Sequence, residues 1–300
     1  MDTGNQPLHQ RDGEHFLKPI QHMLAGFANF DPAVEKKLAV GPDVPKFAVE
    51  WAHRRQTSPQ QQAVGDLIIV AFYYLLRIGE YTTKGKRTKQ TRTRQFRVQD
   101  VTFFRRDKTG FLLALPPSAS DDSILNADAA TLRISNQKNG NLGACVHHEA
   151  IAEENIACHV KALGRRVQHI RKYTKNPNTL LGTYWDEVGR GSVTDGMIRI
   201  MLKFAANSLG YPARGIPLRR VDTHSLRSGG ACALAQAGYS DRAIEKMGRW
   251  SPNSQSFKEY IQQQLSTFSQ GMSKRMSEVP RFTNMEGTGK ATNLRHTTVH

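Results

Sequence analysis

The sequence is short of cysteine, of long apolar runs and, in two segments, of acidic residues. Its three cysteines are widely spaced and form no CxxC pair, which excludes a disulfide scaffold and a structural zinc site and favours a reducing intracellular compartment. The longest apolar run, 67–76, has ten residues, about half of what a bilayer span needs. The N-terminus has no apolar signal core. We therefore expect an intracellular protein that does not act at a membrane, nuclear in a eukaryote and otherwise cytoplasmic.

Positive charge, in contrast, is abundant. The 300 residues include 42 Lys and Arg against 26 Asp and Glu, so the formal net charge is +16 and the pI is near 10.0. An excess of this size favours a polyanionic partner, although a soluble protein that happens to be basic is an alternative. The apolar share of 38% and the charged share of 23% are ordinary, which excludes a wholly disordered chain and a collagen-like repeat.

The positive charge is concentrated in two segments that contain no acidic residue. The basic residues of the first segment are Lys84, Lys86, Arg87, Lys89, Arg92, Arg94 and Arg97. Those of the second are Lys161, Arg165, Arg166, Arg171, Lys172 and Lys175. Because neutralising phosphates releases counterions and relieves the repulsion within such clusters, both segments are predicted to contact nucleic acid. An anionic membrane is disfavoured, since neither segment accompanies a strongly amphipathic helix with an apolar anchor.

The first half of the chain predicts one buried helix followed by a small antiparallel sheet. The helix begins at Thr57-Ser58-Pro59, a hydroxyl N-cap before a proline, and is expected to run to near Gly79 with Arg77 at its C-terminal end. The breakers in 40–45 predict a loop there. Strand patterns lie at 95–104, 111–115, 131–135 and 142–147. An Asn-Gly turn signal between the last two places Lys138 at the tip of a hairpin.

The second half predicts a run of helices. They are expected at 149–173, 194–209, 224–237, 240–249 and 254–266, with a loop at 174–193. Thr194 and Ser240 are the N-caps of the second and fourth, and Gly238 ends the third. The tail from about 277 is predicted to be disordered. The order of elements indicates an α+β fold that is mostly helical, with a small antiparallel sheet, and not an alternating βαβ fold.

Several residues in this pattern are suited to phosphate chemistry. His224 and Arg227 are three apart at a helix start, so they share one face beside the free N–H groups of the helix terminus. Arg77 would bring a second guanidinium, which binds phosphate oxygens bidentately. Taken singly, each has a structural explanation. An HxxR pair is usually a capped helix with a surface charge. A tryptophan such as Trp250 is more often a packing residue than a ligand contact, and a tyrosine such as Tyr260 is usually a half-buried core residue.

Taken together, five motifs in chain order resemble the tyrosine recombinase (phage integrase) family over about residues 31–275. They are Leu76-Arg77-Ile78-Gly79-Glu80, Gln137-Lys138-Asn139-Gly140, His224-Ser225-Leu226-Arg227-Ser228-Gly229-Gly230, Gly248-Arg249-Trp250 and Phe257-Lys258-Glu259-Tyr260-Ile261. The HSLRSGG block and the Arg-x-x-Glu pair are the specific parts. The Gly-Arg-Trp motif is closest to members from eukaryotic mobile elements, including algal and fungal ones. From Trp250 to Tyr260 the chain advances ten residues, one or two more than the family usually shows.

The resemblance implies an enzyme that cuts one DNA strand by attack of a tyrosine, leaving a 3′-phosphotyrosine and a free 5′-hydroxyl, and rejoins strands by the reverse attack. The implied catalytic residues are Arg77, Lys138, His224, Arg227, Trp250 and Tyr260. The arginines would stabilise the charge of the transition state, so neither a metal nor ATP would be needed. Tyr260 would be the nucleophile, Lys138 would protonate the leaving 5′-oxygen and His224 would serve in acid–base transfer. Trp250 would donate its indole N–H to the phosphate, and Glu80 would orient the first arginine.

The resemblance also implies a domain organisation and partners. Residues 1–40 would be the end of a helical DNA-clamping domain, 41–276 the catalytic domain and 277–300 the disordered tail. Because family members usually carry the clamping domain complete, a truncated or relic copy is one expectation. The partners would be double-stranded DNA and, as a dimer or tetramer on DNA, further copies of the chain. The residues expected to contact DNA are Lys84, Lys86, Arg87, Lys89, Arg92, Arg94, Arg165 and Arg166.

Three alternatives to a recombinase follow from the same residues. An inactive, domesticated DNA-binding relic would keep the scaffold without the reaction. A type IB topoisomerase would use the same chemistry to relax supercoils alone. A basic RNA-binding protein ranks last, because it leaves the ordered set of six residues unexplained.

Overall fold

The computed structural model describes residues 37–83, 94–134, 144–152 and 156–251. The helices are α1 Asp43–Ala52, α2 Pro59–Tyr73, α3 Ile78–Tyr81, α4 Asp121–Leu125, α5 His159–Arg171, α6 Asp195–Ser208, α7 His224–Gln236 and α8 Asp241–Gly248. Short 3-10 turns lie at Val98–Asp100, Pro212–Arg214 and Leu218–Arg220. The strands are β1 Val101–Arg106, β2 Leu112–Ala114, β3 Ala129–Arg133, β4 Cys145–Glu149, β5 Thr183–Asp186 and β6 Gly189–Ser192. Within these ranges no helix is both long enough and apolar enough to span a membrane.

Two antiparallel sheets accompany the helices. The larger has the strand order β2-β1-β3-β4, and in its register Phe103 lies opposite Ala130 and Leu132 opposite Val146. The inward residues of β1, β3 and β4 are therefore the apolar ones, as alternation in half-buried strands requires. Strands β5 and β6 form a separate hairpin. The expected fold class is confirmed: the protein is α+β, mostly helical, with a small antiparallel sheet.

Helix α2 lies at the centre of the molecule. Its run from Ala63 to Phe72 is buried on every side, and it packs against α1, α5, α6, α7 and β5. A helix that is apolar all round is stable only when neighbours cover all of its faces. Ser58 begins it as predicted: the Ser58 hydroxyl accepts from the backbone N–H of Gln61, and the Gln61 side chain accepts from the backbone N–H of Ser58.

The predicted end of α2 near Gly79 is wrong. The helix ends at Tyr73, and Leu75 adopts a left-handed conformation with φ 49°. The short helix α3 then begins after Arg77, so this arginine precedes a helix and does not end one. The apolar composition of 67–76 continues beyond the helix because Leu75 and Leu76 are themselves buried, which hides the turn from a reading of hydropathy.

Three further boundaries differ from the predictions. Helix α1 occupies a segment whose start, 40–45, was expected to be a loop, with Pro42 just before the first turn, where a missing N–H costs little. Glu149, the expected first residue of a helix, is the last residue of β4, and α5 begins only at His159. The expected loop 174–193 contains the β5–β6 hairpin.

The later helices follow their capping signals. The hydroxyls of Thr194 and Ser240 accept from the backbone N–H groups of Met197 and Ala243, and these caps begin α6 and α8. Gly238, with φ 86°, follows the end of α7. Strands β3 and β4 pair as the predicted hairpin requires. The tip with Lys138, the helix expected at 254–266 and the tail from 277 lie outside the described residues.

Two histidine rings meet where β4 leads into α5. The rings of His148 and His159 are edge to face with centroids 5.1 Å apart, and Tyr73 stacks on His159 at 4.2 Å. Burial lowers the pKa of His148 to about 4 and the pKa of His159 to about 3. Both rings are therefore neutral in the folded protein at neutral pH.

These shifts predict loss of stability in mild acid. An unfolded histidine has a pKa near 6.5, so below that pH the unfolded chain binds more protons than the folded one. The free energy of unfolding should therefore fall from about pH 6.5 towards pH 4 and change little above pH 7. Urea denaturation at several pH values measures this slope. In His159→Phe, which keeps a ring against Tyr73, the slope should decrease by about one proton, and an unchanged slope would contradict the assignment.

Candidate active site

Helix α7 carries the HSLRSGG block and presents its two functional candidates differently. His224 is the first residue of the helix and is exposed, whereas Arg227, nearly one turn later, is 4% exposed. Gly230 explains the burial. A Cβ there would collide with the carbonyl of Phe72 and the side chain of Leu75. Glycine thus allows α7 to approach the end of α2 closely enough for Arg227 to reach the turn that follows it.

The guanidinium of Arg227 is held on three sides. Its Nη1 donates to the carbonyl of Leu75 and its Nη2 donates to the carbonyl of Gly248. Its Cζ lies 4.1 Å from the ring centroid of Trp250, a cation–π contact. These contacts fix the plane of the guanidinium between the turn after α2 and the end of α8.

Arg77 lies at the same turn. Its backbone N–H donates to Glu80 Oε2 at 2.8 Å, and its Nη1 lies 3.5 Å from Glu80 Oε1. Its Nη2 donates to the carbonyl of Arg249 at 3.3 Å. The Arg77 side chain is 27% exposed, so this guanidinium is open to a ligand from solvent. Glu80, which the family resemblance implies would orient the first arginine, is 2% exposed and is the carboxylate that pairs with Arg77 and Arg249.

The Gly-Arg-Trp segment closes the cluster. A Cβ on Gly248 would overlap the indole of Trp250, so only glycine lets the ring fold back over the end of α8. Arg249 follows in a left-handed conformation with φ 60° and is 4% exposed. Its Nη2 donates to Glu80 Oε2 at 2.8 Å and to the carbonyl of Leu75 at 3.2 Å. Burial lowers the pKa of Arg249 from its usual range, a shift that the Glu80 carboxylate opposes.

The structure therefore joins three of the six predicted catalytic residues. Arg77, Arg227 and Trp250 are linked through Leu75, Glu80 and the backbone of 248–249. His224 lies three residues before Arg227 on the same helix. Lys138 and Tyr260 lie outside the described residues.

Sequence reasoning missed Arg249 as a member of this cluster. The Gly-Arg-Trp motif was visible, but only its tryptophan was assigned a role. A signal was available in the composition of the motif, since an arginine between a glycine and an aromatic residue at a helix end needs a nearby counter-charge if it is buried.

Of the predicted DNA-contacting residues, most lie outside the described ranges. They are Lys84, Lys86, Arg87, Lys89 and Arg92. Arg94, at the end of that segment, is exposed. Arg165 and Arg166, on α5, instead bond to groups inside the protein.

Arg165 and Arg166 require a correction of their predicted role. Arg166 is 2% exposed and donates Nε to the carbonyl of Leu181 at 3.1 Å and Nη2 to the carbonyl of Thr183, so its guanidinium is held in the core. Arg165 is half-buried and donates Nε and Nη2 to Asp66 Oδ1 at 2.9 and 2.6 Å. Both arginines therefore have structural roles. Arg165 pairs with a carboxylate of α2, and Arg166 donates to backbone carbonyls at the start of β5.

Asp66, on α2, is the counter-charge of Arg165. Its Oδ1 also lies 2.9 Å from His53 Nε2. Burial would raise the pKa of Asp66, but the charges and hydrogen bonds of Arg165 and His53 outweigh it and hold the pKa below the usual range. No group of three or more His, Cys, Asp or Glu side chains that could hold a metal ion occurs within the described ranges.

No protein-family model matches the sequence, and no curated protein matches it. Among solved structures, the chain is similar to XerA recombinase at 16% identity, covering 84% of this chain and 67% of that chain with a TM-score of 0.45. It is similar to the Tn1549 transposon integrase in complex with transposon right end DNA at 12% identity, covering 82% and 68% with a TM-score of 0.42.

A third similar structure is the XerH site-specific recombinase bound to difH substrate, at 15% identity and a TM-score of 0.45. The match covers 78% of this chain and 53% of that chain, so the chain spans about half the length of this neighbour. These three similar structures are thus two recombinases and one transposon integrase.

Proposed function

We propose that the protein is a site-specific DNA recombinase or integrase that cuts and rejoins DNA through a 3′-phosphotyrosine. The observation that supports this most strongly is the joining of Arg77 and Arg227, 150 residues apart in sequence, by one set of buried contacts. Two guanidiniums at one place match the charge of a phosphate in its pentacoordinate transition state. Among the described residues, Glu80 is the carboxylate that pairs with Arg77 and Arg249, so the described part of the cluster has a positive net charge, which suits an anionic substrate.

The reaction assigns one role to each remaining residue. The oxygen of Tyr260 attacks the phosphorus of a phosphodiester and the bond to the 5′-oxygen breaks, with Lys138 giving that oxygen its proton. His224, exposed at the start of α7, accepts the proton that the Tyr260 hydroxyl loses and returns it in the reverse step, and Trp250 donates its indole N–H to the phosphate. In the reverse step a 5′-hydroxyl attacks the phosphotyrosine and Tyr260 leaves. The phosphotyrosine keeps the energy of the original bond, so the proposal includes neither ATP nor a metal.

DNA binding in this proposal falls to the basic segment 84–94. Its residues would contact the phosphate backbone, which sets affinity but carries no sequence information. The catalytic unit would be 41–276, preceded by the end of a clamping domain, and the active assembly would be a dimer or tetramer on DNA. Arg165 and Arg166 are left out, because they bond to Asp66 and to backbone carbonyls.

Trapping the covalent intermediate tests the proposal. The full chain is incubated with a pool of nicked duplexes of randomised sequence, in which the cleaved fragment diffuses away and the phosphotyrosine cannot be resealed. We expect an adduct that survives denaturation, maps to Tyr260 by peptide mass spectrometry and is lost in Tyr260→Phe. Duplex binding without an adduct on any member of the pool would contradict the enzyme and favour a DNA-binding relic. Relaxation of arbitrary supercoiled plasmid by the monomer would favour a topoisomerase.

A further inference from the structure

We propose that Arg249 is a positioning residue that keeps the guanidinium of Arg77 available for the DNA phosphate. The inference rests on the proposed function, because it assigns a role within the same site. Arg249 is not one of the six residues that carry the reaction. It acts through its contacts with Glu80, Leu75 and Arg77.

The side chain of Arg249 connects the two parts of the turn after α2. Its Nη2 bonds both Glu80 Oε2 and the carbonyl of Leu75, and that same carbonyl accepts from Arg227. Its Nε and Nη1 are buried and have no hydrogen-bond partner among the described residues, so the Glu80 carboxylate is its principal counter-charge there. One buried cation thus fixes the carboxylate beside Arg77 and the carbonyl beside Arg227.

The backbone at the end of α8 serves the same two arginines. The carbonyl of Arg249 accepts from Arg77 Nη2, and the carbonyl of Gly248 accepts from Arg227 Nη2. The left-handed conformation of Arg249 is uncommon for a residue with a side chain and is maintained only where surrounding contacts hold it. Here the ion pair with Glu80 is the contact that compensates for it.

Competition for Glu80 explains why the reaction would need this residue. Arg249 Nη2 lies 2.8 Å from the Glu80 carboxylate, whereas Arg77 Nη1 is 3.5 Å from it. The buried Arg249 therefore takes the stronger ion pair, and the partly exposed Arg77 keeps donors for a phosphate. Without Arg249, the uncompensated carboxylate would draw the Arg77 guanidinium onto itself, because a buried charge without a partner is costly.

The experiment compares Arg249→Met, Arg249→Lys, Glu80→Gln and the double variant Arg249→Met/Glu80→Gln in the full chain. Arg242→Met is the matched control, since Arg242 is an exposed arginine on α8, the helix that Arg249 directly follows. For each protein we measure duplex affinity, the single-turnover cleavage rate at saturating protein, and the unfolding midpoint. Arg249→Met should lower the cleavage rate about a hundredfold with duplex affinity changed less than about threefold.

The double variant separates positioning from stability. Removing the carboxylate together with Arg249 removes the competitor for Arg77, so cleavage should recover about tenfold relative to Arg249→Met. Arg249→Lys keeps the charge but reaches fewer acceptors, so its cleavage rate should lie between those of Arg249→Met and the unmodified protein. Arg242→Met should cleave at the rate of the unmodified protein. Cleavage by Arg249→Met at that same rate, or a loss no greater than its unfolded fraction explains, would overturn the inference while leaving the proposed function intact.

A crystal structure of Arg249→Met decides the inference even if the unmodified protein cleaves no DNA and the proposed function fails. The separation of Arg77 Nη1 and Glu80 Oε1 should shorten from 3.5 Å to about 2.8 Å, the length of a charge-assisted hydrogen bond. An unchanged separation would overturn the role assigned to Arg249.

Discussion

Replacing Arg227 by alanine is expected to lower the single-turnover rate of DNA cleavage about a thousandfold, since a preorganised donor to a developing charge is commonly worth this much. The substitution removes one of two guanidiniums at the phosphate. It also leaves the carbonyl of Gly248 without its Arg227 donor, which costs about 1–3 kcal/mol for an unsatisfied group, whereas the carbonyl of Leu75 keeps its bond from Arg249. The variant should therefore be both slow and less stable. Cleavage at saturating protein and urea denaturation measure the two effects separately.

Arg227→Lys is the conservative comparison. Lysine keeps the charge but has neither the planar fork that reaches both carbonyls nor the flat face that stacks on Trp250. Its rate should lie between those of the alanine variant and the unmodified protein. Arg242→Ala, which removes an exposed arginine of α8, controls for the loss of one positive charge. A folded Arg227→Ala protein that cleaves within tenfold of the unmodified rate would exclude Arg227 from the catalytic set.

The second large effect is expected in stability and concerns Asp66. Asp66→Ala should lower the free energy of unfolding by about 3–5 kcal/mol, because it leaves the largely covered guanidinium of Arg165 without its carboxylate. Asp66 is 1% exposed, and Arg165 and His53 both bond to the same oxygen. Since domains are commonly stable by only about 5–15 kcal/mol, a loss of this size would be evident in a urea titration at pH 7.

Asp121→Ala provides the matched control for Asp66→Ala. Asp121 also pairs with an arginine of α5, Arg171, but at 3.5 Å and with the carboxylate 39% exposed. Exposed pairs contribute about 1 kcal/mol or less, so this variant should unfold close to the unmodified protein. Equal losses for the two aspartates would show that the buried cluster has no special part in the stability of the core.

Much of the helical frame could be predicted from local chemistry. The hydroxyl caps at Ser58, Thr194 and Ser240 and the glycine at 238 act within one turn of the chain, so their effect is legible in the sequence. The pairing of β3 with β4 followed from the Asn-Gly turn signal between the two strand patterns. The β5–β6 hairpin was not predicted, because each of its strands has only four residues, too few for an alternating pattern to be recognised.

The end of α2 shows why some element boundaries could not be predicted from the sequence. No residue between Tyr73 and Gly79 forbids a longer helix, yet the chain turns at Leu75. There the carbonyl of Leu75 accepts from Arg227 and Arg249, which come from α7 and from the residue that follows α8. The helix therefore ends where distant arginines need an acceptor, and a local reading of the chain does not contain that information.

The basic segments show the same contrast between what the sequence predicts and what the fold decides, here for positive charge. A net charge of +16 and the order of five motifs along the chain are enough to indicate a DNA-processing enzyme. The sequence could not distinguish an arginine on the surface from one in the core, because Arg165 meets a carboxylate 99 positions away. The motifs by themselves determined which chemical class we propose for the site, since residue types and their spacing are local properties. Only the tertiary structure decided which cations remain open to a phosphate and which are held by buried partners, because burial and pairing arise when distant segments pack together.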